Sequence, residues 1–250
     1  MKRKPKIFYK YCTVERALEI IETSQIWYSP VDELNDLYEG KYTLSDELLR
    51  RYIKPYTDSI WPQAKDKFLG LQNEDEFYEY FLRMTRKASV NKFYNVLFRS
   101  SIHGGYSVFS LSTTNKSELM WSHYADRNAG VCLQFDLSKD PKLRDEIYPV
   151  EYSNETFNAD SNLFPLEANL RKRKVWRYEK EWRLVSRSNG LQPINKLALT
   201  GIFLGFHITE ENTKIIERAV SKAGNNKVKT HHFELAIGDV PYVHLPPGTY

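Results

Sequence analysis

The residues best suited to chemistry in this chain are Glu179, Glu181 and Arg183, spaced two apart within Trp176-Arg177-Tyr178-Glu179-Lys180-Glu181-Trp182-Arg183-Leu184-Val185. Successive side chains of an extended backbone point to opposite faces. The spacing therefore predicts a strand with Glu179, Glu181 and Arg183 on one face and Lys180, Trp182 and Leu184 on the other. Like charges two apart on a strand repel, and a strand so rich in aromatics is at least half buried. Such a face fits a polar cleft whose carboxylates accept hydrogen bonds from a ligand, because a buried charge needs a reason. A solvated face on which Arg183 merely balances a glutamate accounts for the same residues. Glu181 has the strongest functional case, since its neighbours read as interior strand. Replacing it by Gln is expected to remove a charge at little cost to the fold.

Other groups are weaker candidates. Arg171-Lys172-Arg173-Lys174 is the sharpest charge cluster, read as the end of a helix over 168–174, where cations are favoured; the alternative is a phosphate contact. Ser110 and Ser112 close a strand and either cap it or contact a ligand. His231-His232 is not a metal pair in a strand, because adjacent side chains face opposite ways. Cys12 and Cys132 lack metal spacing, so no metal site is expected. Neither a Gly-x-Gly-x-x-Gly fingerprint nor a phosphate-loop signature occurs.

These groups need a scaffold, and the composition supplies one. With 250 residues, 41% hydrophobic and 14% aromatic, the chain is long and apolar enough to bury a core without staples. Seventeen tyrosines suit a wet, aromatic-lined cleft. A net charge of +4 is too mild to imply a nucleic-acid partner by itself. Two cysteines and the absence of an apolar run of membrane-spanning length predict a soluble, cytoplasmic protein with no membrane partner.

The periodicities place elements in order. Residues 7–11 read as a strand, Thr13 as the N-cap of a helix carrying Val14, Ala17, Leu18 and Ile21, and 26–29 as a second strand ended by Pro30. Leu34-Asn35-Asp36-Leu37-Tyr38-Glu39-Gly40 is a polar turn. Residues 44–100 read as a helical insert interrupted near Pro55 and Pro62, with a stripe of Phe77, Tyr80, Phe81, Met84 and Ala88 packed on a sheet. A strand over 106–111 leads to a helix over 117–125 with Met120, Trp121 and Tyr124, then to a strand over 131–135. A strand over 202–206, a helix capped by Thr209 and a strand over 228–237 complete the chain. No internal repeat or low-complexity linker appears, which predicts a single domain, 1–250, with the embedded helical segment.

Several of these pieces together carry a resemblance. Tyr9-Lys10-Tyr11 precedes a capped helix, Leu34-Asn35-Asp36 runs to Glu39-Gly40, and Phe109-Ser110 precedes Leu119-Met120-Trp121-Ser122-His123-Tyr124-Ala125-Asp126. Gly130-Val131-Cys132 and Lys174-x-Trp176-x-Tyr178-Glu179-Lys180-Glu181-Trp182-Arg183-Leu184 follow. In that order they resemble the bacterial domain-of-unknown-function 2971 family over most of the chain, least so in the helical insert. Leu37 stands where the family usually has Pro. More distantly, the order of a strand bearing a basic residue, a later helix ending in Tyr and a strand beginning with Glu is similar to the ADP-ribosyltransferase fold.

That similarity implies an α+β fold with a bent, split, mixed or antiparallel sheet and a site that takes NAD. By position it implies Lys10, Tyr124 and Glu181 as catalytic residues, with Tyr11, Ser110, Ser112, Glu179 and Arg183 around the nucleotide. Glu179-x-Glu181 is similar to the Glu-x-Glu of arginine-directed transferases. Lys10 departs from the His or Arg of that pattern. Glycosidic cleavage of NAD passes through an oxocarbenium-like state that a carboxylate stabilises, while a tyrosine ring stacks on nicotinamide and a basic residue holds a ribose or pyrophosphate oxygen. The implied function is a nucleotide-binding enzyme with a protein or nucleic-acid acceptor, of a kind associated with bacterial stress or phage defence. A catalytically inactive nucleotide-sensing or protein-interaction module and a nucleic-acid-binding protein using Arg171 to Lys174 stand as alternatives.

Overall fold

The computed structural model of the chain describes residues 4–34, 42–87, 106–155, 157–159, 164–225, 227–232, 236–237 and 240–241. In its first half the strands β1 (Ile7–Cys12), β2 (Gln25–Pro30), β3 (Tyr42–Leu44), β4 (Ser107–Ser112) and β5 (Val131–Asp136) alternate with helices α1 (Val14–Thr23), α2 (Asp46–Ala64), α3 (Glu74–Lys87) and α4 (Glu118–Tyr124). Next come α5 (Pro141–Asp145), β6 (Ile147–Pro149), β7 (Glu151–Tyr152), β8 (Phe157–Ala159), α6 (Phe164–Ala168), β9 (Arg171–Lys172), β10 (Glu181–Ser186) and β11 (Gly190–Pro193). The last elements are β12 (Leu199–Leu204), α7 (Glu210–Lys222), β13 (Lys229–His232), β14 (Ala236–Ile237) and β15 (Val240–Pro241).

The fold is α+β, built on a mixed nine-stranded sheet. Strand β4 organises it. One edge of β4 is fully taken by antiparallel β10, from Glu181↔Ser112 to Ser186↔Ser107. Its other edge is shared: β2 pairs at Ser29↔Val108 and Pro30↔Ser107, whereas β1 pairs only at Tyr9↔Ser112. The sheet thus falls into two parts, β6-β10-β4-β2-β11 and β1-β5-β12-β13, and β1 diverges from β2 where they leave β4. β13 joins β12 in parallel, which makes the sheet mixed.

Local chemistry starts the helices where the sequence places them. Thr13, Ser117 and Thr209 each accept a hydrogen bond from an otherwise unpaired N–H of the first turn of α1, α4 and α7. Helices α1 and α7 touch one another. Their buried residues, among them Ala17, Ile20, Ile216 and Ala219, join Phe8, Ile26, Phe109, Leu133, Phe135, Leu184 and Ile202 in the main core. A smaller cluster of Tyr11, Met120, Trp121, Ala125 and Cys132 fixes α4 to β1 and β5.

Three expectations change. Helix α2 runs through Pro55 and Pro62 without a break. Both prolines are exposed. Of the strand read over 228–237, β13 covers Lys229–His232 and residues 233–235 lie outside the described residues, while Ala236–Ile237 pairs with Val240–Pro241. The aromatic stripe of α3 packs on α2, with Phe77 against Trp61 and Phe81 against Tyr56 at ring separations of 5.4 and 6.2 Å. The Met84 side chain, Ala88 and the rest of the expected insert to residue 100 lie outside the described residues, as do Asn35 to Gly40 of the polar turn.

Within the stripe, Phe77 is buried whereas Tyr80 and Phe81 are half-buried. Phe77→Ala should therefore cost about 3–4 kcal/mol and Phe81→Ala closer to about 1–2 kcal/mol, read as urea-unfolding free energies.

Candidate functional site

Where β1 and β2 part, a cavity of about 260 Å³ opens over β4. Its walls include Tyr9, Lys10 and Tyr11 from β1, Trp27 and Ser29 from β2, Ser110 and Ser112 from β4, and Met120 and Tyr124 from α4. Lys172, Glu179, Glu181 and Arg183 line it as well. All eight residues singled out from the sequence, from Lys10 to Arg183, thus line one space.

The carboxylates are joined by a buried charge network. Lys172 Nζ donates to Glu179 Oε2 at 2.6 Å and to Glu181 Oε2 at 3.2 Å. Arg183 grips Glu181 twice, Nε to Oε1 at 2.8 Å and Nη2 to Oε2 at 3.2 Å, and its Nη1 donates to the carbonyl of Asn169 at 2.7 Å. Tyr124 donates its hydroxyl to Glu179 Oε1 at 2.7 Å. None of Lys172, Glu179, Glu181 and Arg183 is more than 6% exposed.

The two carboxyl groups are driven in opposite directions. Burial raises the Glu179 pKa, and the neighbouring Glu181 charge adds to it; Lys172 and the Tyr124 hydrogen bond oppose but do not cancel the rise. Burial also opposes ionisation of Glu181. There the Arg183 and Lys172 charges, with hydrogen bonds from Arg183 and Ser110, outweigh it and hold the carboxyl at about 2. The pair is thus split, with Glu181 held toward the anion and Glu179 pushed toward the protonated form.

The sign of each shift sets the pH response. Stability from the depressed Glu181 is present above its ordinary value of 4.5 and is lost as pH falls toward about 2. Stability from the raised Glu179 runs the other way, present at low pH and lost as pH rises through its raised value. Unfolding free energy measured in urea should therefore drop between pH 4.5 and 2, and the drop should shrink in Glu181→Gln.

The other expected residues divide by how their polar atoms are used. Lys10 Nζ donates to the carbonyl of Ser110 at 3.0 Å and lies 4.7 Å from the Phe109 ring centre. Desolvation lowers its pKa, with Glu181 and Glu179 partly opposing the change. The Ser112 hydroxyl donates to the backbone carbonyl of Glu179 at 2.6 Å and so ties β4 to the turn before β10. Tyr11 gives its hydroxyl to the carbonyl of Thr114 at 3.0 Å, bracing the loop that enters α4.

Two readings of local structure are corrected. Glu179 is not on the strand: it ends a 3₁₀ segment, Lys174–Glu179, and Lys180 with φ 46° turns the chain before β10 begins at Glu181. The tight turn still delivers both carboxylates to the same space. The run Arg171 to Lys174 does not end a helix, because α6 stops at Ala168 and Arg171–Lys172 forms β9, parallel to β7. Strand alternation then separates the cations. Arg171 turns outward to Glu151 at 3.0 Å, while Lys172 turns inward to the carboxylates.

Lys172 is the site residue that sequence reasoning missed. Its signal was present in the two glutamates that needed a second cation, but the helix reading assigned it to solvent. Near the site, His123 Nδ1 and the Tyr178 hydroxyl lie 3.3 Å apart. Among the described residues no group of three His, Cys, Asp or Glu side chains converges as a metal would require, and no helix is long and apolar enough to cross a membrane.

Comparison with known proteins places part of the chain. Over 172 residues, 61% of this chain, it is 26% identical to the tRNA(Ile)-lysidine synthase of Oceanobacillus iheyensis. The chain spans only 36% of the length of that protein. No solved structure matches the chain. Residues 120–184, which include Tyr124, Lys172, Glu179, Glu181 and Arg183, match a family described as a protein of unknown function (DUF2971).

Proposed function

We propose that the chain binds NAD or a closely related nucleotide in the cleft between β1 and β2 and cleaves its nicotinamide glycosidic bond, as an ADP-ribosyltransferase or NAD glycohydrolase. The observation carrying this reading is that Lys10, Tyr124 and Glu181 line one cavity although they come from distant parts of the chain. The divergence of two strands from one edge of β4 supports it as well, since a split sheet is what the ADP-ribosyltransferase resemblance implies.

In this reading the bond between ribose C1′ and the nicotinamide nitrogen breaks, and its electron pair leaves with neutral nicotinamide. Glu181 stabilises the positive charge that develops on the ribose, an electrostatic effect that grows in a desolvated site. The Tyr124 ring lies against the nicotinamide, and Lys10 pairs with an oxygen of the ribose or pyrophosphate. The incoming nucleophile, water or an acceptor side chain, gives up a proton as it bonds to C1′. Glu179 takes that proton, its affinity for it raised by burial. The cavity of about 260 Å³ is smaller than usual ligand pockets of about 300–1,000 Å³, so it takes the nicotinamide and its ribose and leaves the adenosine half in the open cleft.

A second reading, a nucleotide sensor without turnover, is favoured by one feature. Both oxygens of Glu181 already accept hydrogen bonds from Arg183 and Lys172. The nucleic-acid reading draws less support, because Lys172 is buried against carboxylates and Arg171 is paired with Glu151.

Calorimetric titration with NAD alongside an assay of nicotinamide release separates the two leading readings. Binding with release supports the enzyme, binding alone supports the sensor, and absence of binding removes both. Tyr124→Phe keeps the ring and removes the hydrogen bond to Glu179. It should lower release about ten- to hundredfold while changing NAD affinity less than about threefold, in keeping with about 1.5–3 kcal/mol for a hydrogen bond to a charged group.

A further inference from the structure

We infer that Lys172 is a positioning residue for the paired carboxylates, holding Glu179 and Glu181 side by side and giving them different tasks, one a fixed anion and the other a carrier of an exchangeable proton. The inference deepens the reading of the cleft as a nucleotide site and rests on it for its catalytic meaning.

The geometry makes Lys172 the cation shared between the two. Arg183 binds Glu181 through both of its oxygens, whereas Lys172 reaches Glu179 at 2.6 Å and Glu181 at 3.2 Å with one ammonium group. Two carboxylates in one desolvated space repel, and without a cation between them one would be driven to bind a proton tightly. A lysine suits the task, because a compact charge can be divided between two oxygens where the planar fork of arginine would clasp one carboxylate.

Three further contacts place the ammonium. Residue 172 pairs with Tyr152 across the short parallel ladder of β7 and β9. The Tyr152 hydroxyl accepts the backbone N–H of Glu181 at 2.7 Å, so the lysine strand and the glutamate strand are held in register. The Trp176 ring lies 4.9 Å below the ammonium. The charged and titratable groups around the pair are Lys10 from β1, Tyr124 from α4, Tyr152 from β7, Lys172 from β9, Tyr178 from the 3₁₀ segment and Arg183 from β10. Among them Lys172 contacts both carboxylates.

The test needs no substrate, so it reports on Lys172 even if the chain turns out not to cleave NAD. Carboxyl titrations of the full chain, labelled with ¹³C at glutamate and assigned with Glu179→Gln and Glu181→Gln, should show Glu181 titrating below the ordinary range and Glu179 above it. In Lys172→Met the Glu179 midpoint should rise by at least about one pH unit, a tenfold gain in proton affinity. A folded Lys172→Met chain whose two midpoints equal those of the wild type would overturn the inference. If that variant does not fold, Lys172→Met/Glu179→Gln removes one charge of each sign and should recover a cooperative melt. A double variant no more stable than the single one would show that the lysine serves the fold without balancing the pair, and would equally overturn it.

Discussion

Replacing Glu181 by Gln is expected to cut nicotinamide release by about two to three powers of ten, because a carboxylate facing a developing cation supplies a few kcal/mol. From the sequence this substitution looked nearly free for the fold. The structure predicts otherwise. Gln cannot neutralise Arg183 and Lys172, which stay buried with one anion fewer between them. Breaking a buried pair in this way typically costs about 3–5 kcal/mol, equivalent to a melting temperature lower by about 10 °C in a chain of this size. Release measured well below the lowered melting temperature, with NAD affinity titrated in parallel, separates chemistry from unfolding. Full release from a destabilised Glu181→Gln chain would leave the residue a purely structural role and end the transferase reading.

Trp121→Ala should have the largest effect on stability. The indole is fully buried, meets the Tyr11 ring edge-on at 5.3 Å and donates its N–H to the carbonyl of Asn115 at 2.9 Å. Truncating a buried tryptophan costs about 3–5 kcal/mol, and the abandoned carbonyl adds about 1 kcal/mol more. Helix α4 is too short to persist without that anchor, since isolated helices of fewer than about 12 residues are marginal in water. The Tyr124 hydrogen bond to Glu179 should then be lost, although Trp121 does not line the cavity. Urea unfolding reads the first effect. Loss of NAD affinity under conditions where the variant remains folded reads the second. An unchanged urea midpoint would mean that α4 is held mainly by Met120 and Ala125.

What the sequence made legible follows from how local each signal is. Thr13, Ser117 and Thr209 act on N–H groups within three residues, so the starts of α1, α4 and α7 could be placed closely. The alternation in Glu181–Ser186 is equally local and gave β10. Glu179 was misplaced because its turn depends on Lys180 adopting a left-handed conformation, which a lysine does not advertise. Lys172 was missed because the parallel pairing of β7 with β9 joins residues twenty apart through two-residue strands too short to leave a periodic pattern. The prolines of α2 misled in the opposite sense: a proline inside a helix costs about 3 kcal/mol, yet the helix continues through both Pro55 and Pro62.

The way β4 divides one edge between two neighbours has a mechanical consequence. Ladder bonding resists shear along its whole length, but between β1 and β4 it is confined to the position of Tyr9 and Ser112. Elsewhere the join is made by side chains, Phe8 edge-on to Trp182 at 5.6 Å and Phe109 edge-on to Phe135 at 6.4 Å. Ring contacts slide where backbone bonds would have to break. The pairing of Tyr9 with Ser112 is therefore where a rotation of one part of the sheet against the other would be expected to pivot, with the aperture between β1 and β2 as the dimension it would change. Lys10 and Ser29 line the cavity on its two sides, so any ligand touching both would fix that angle.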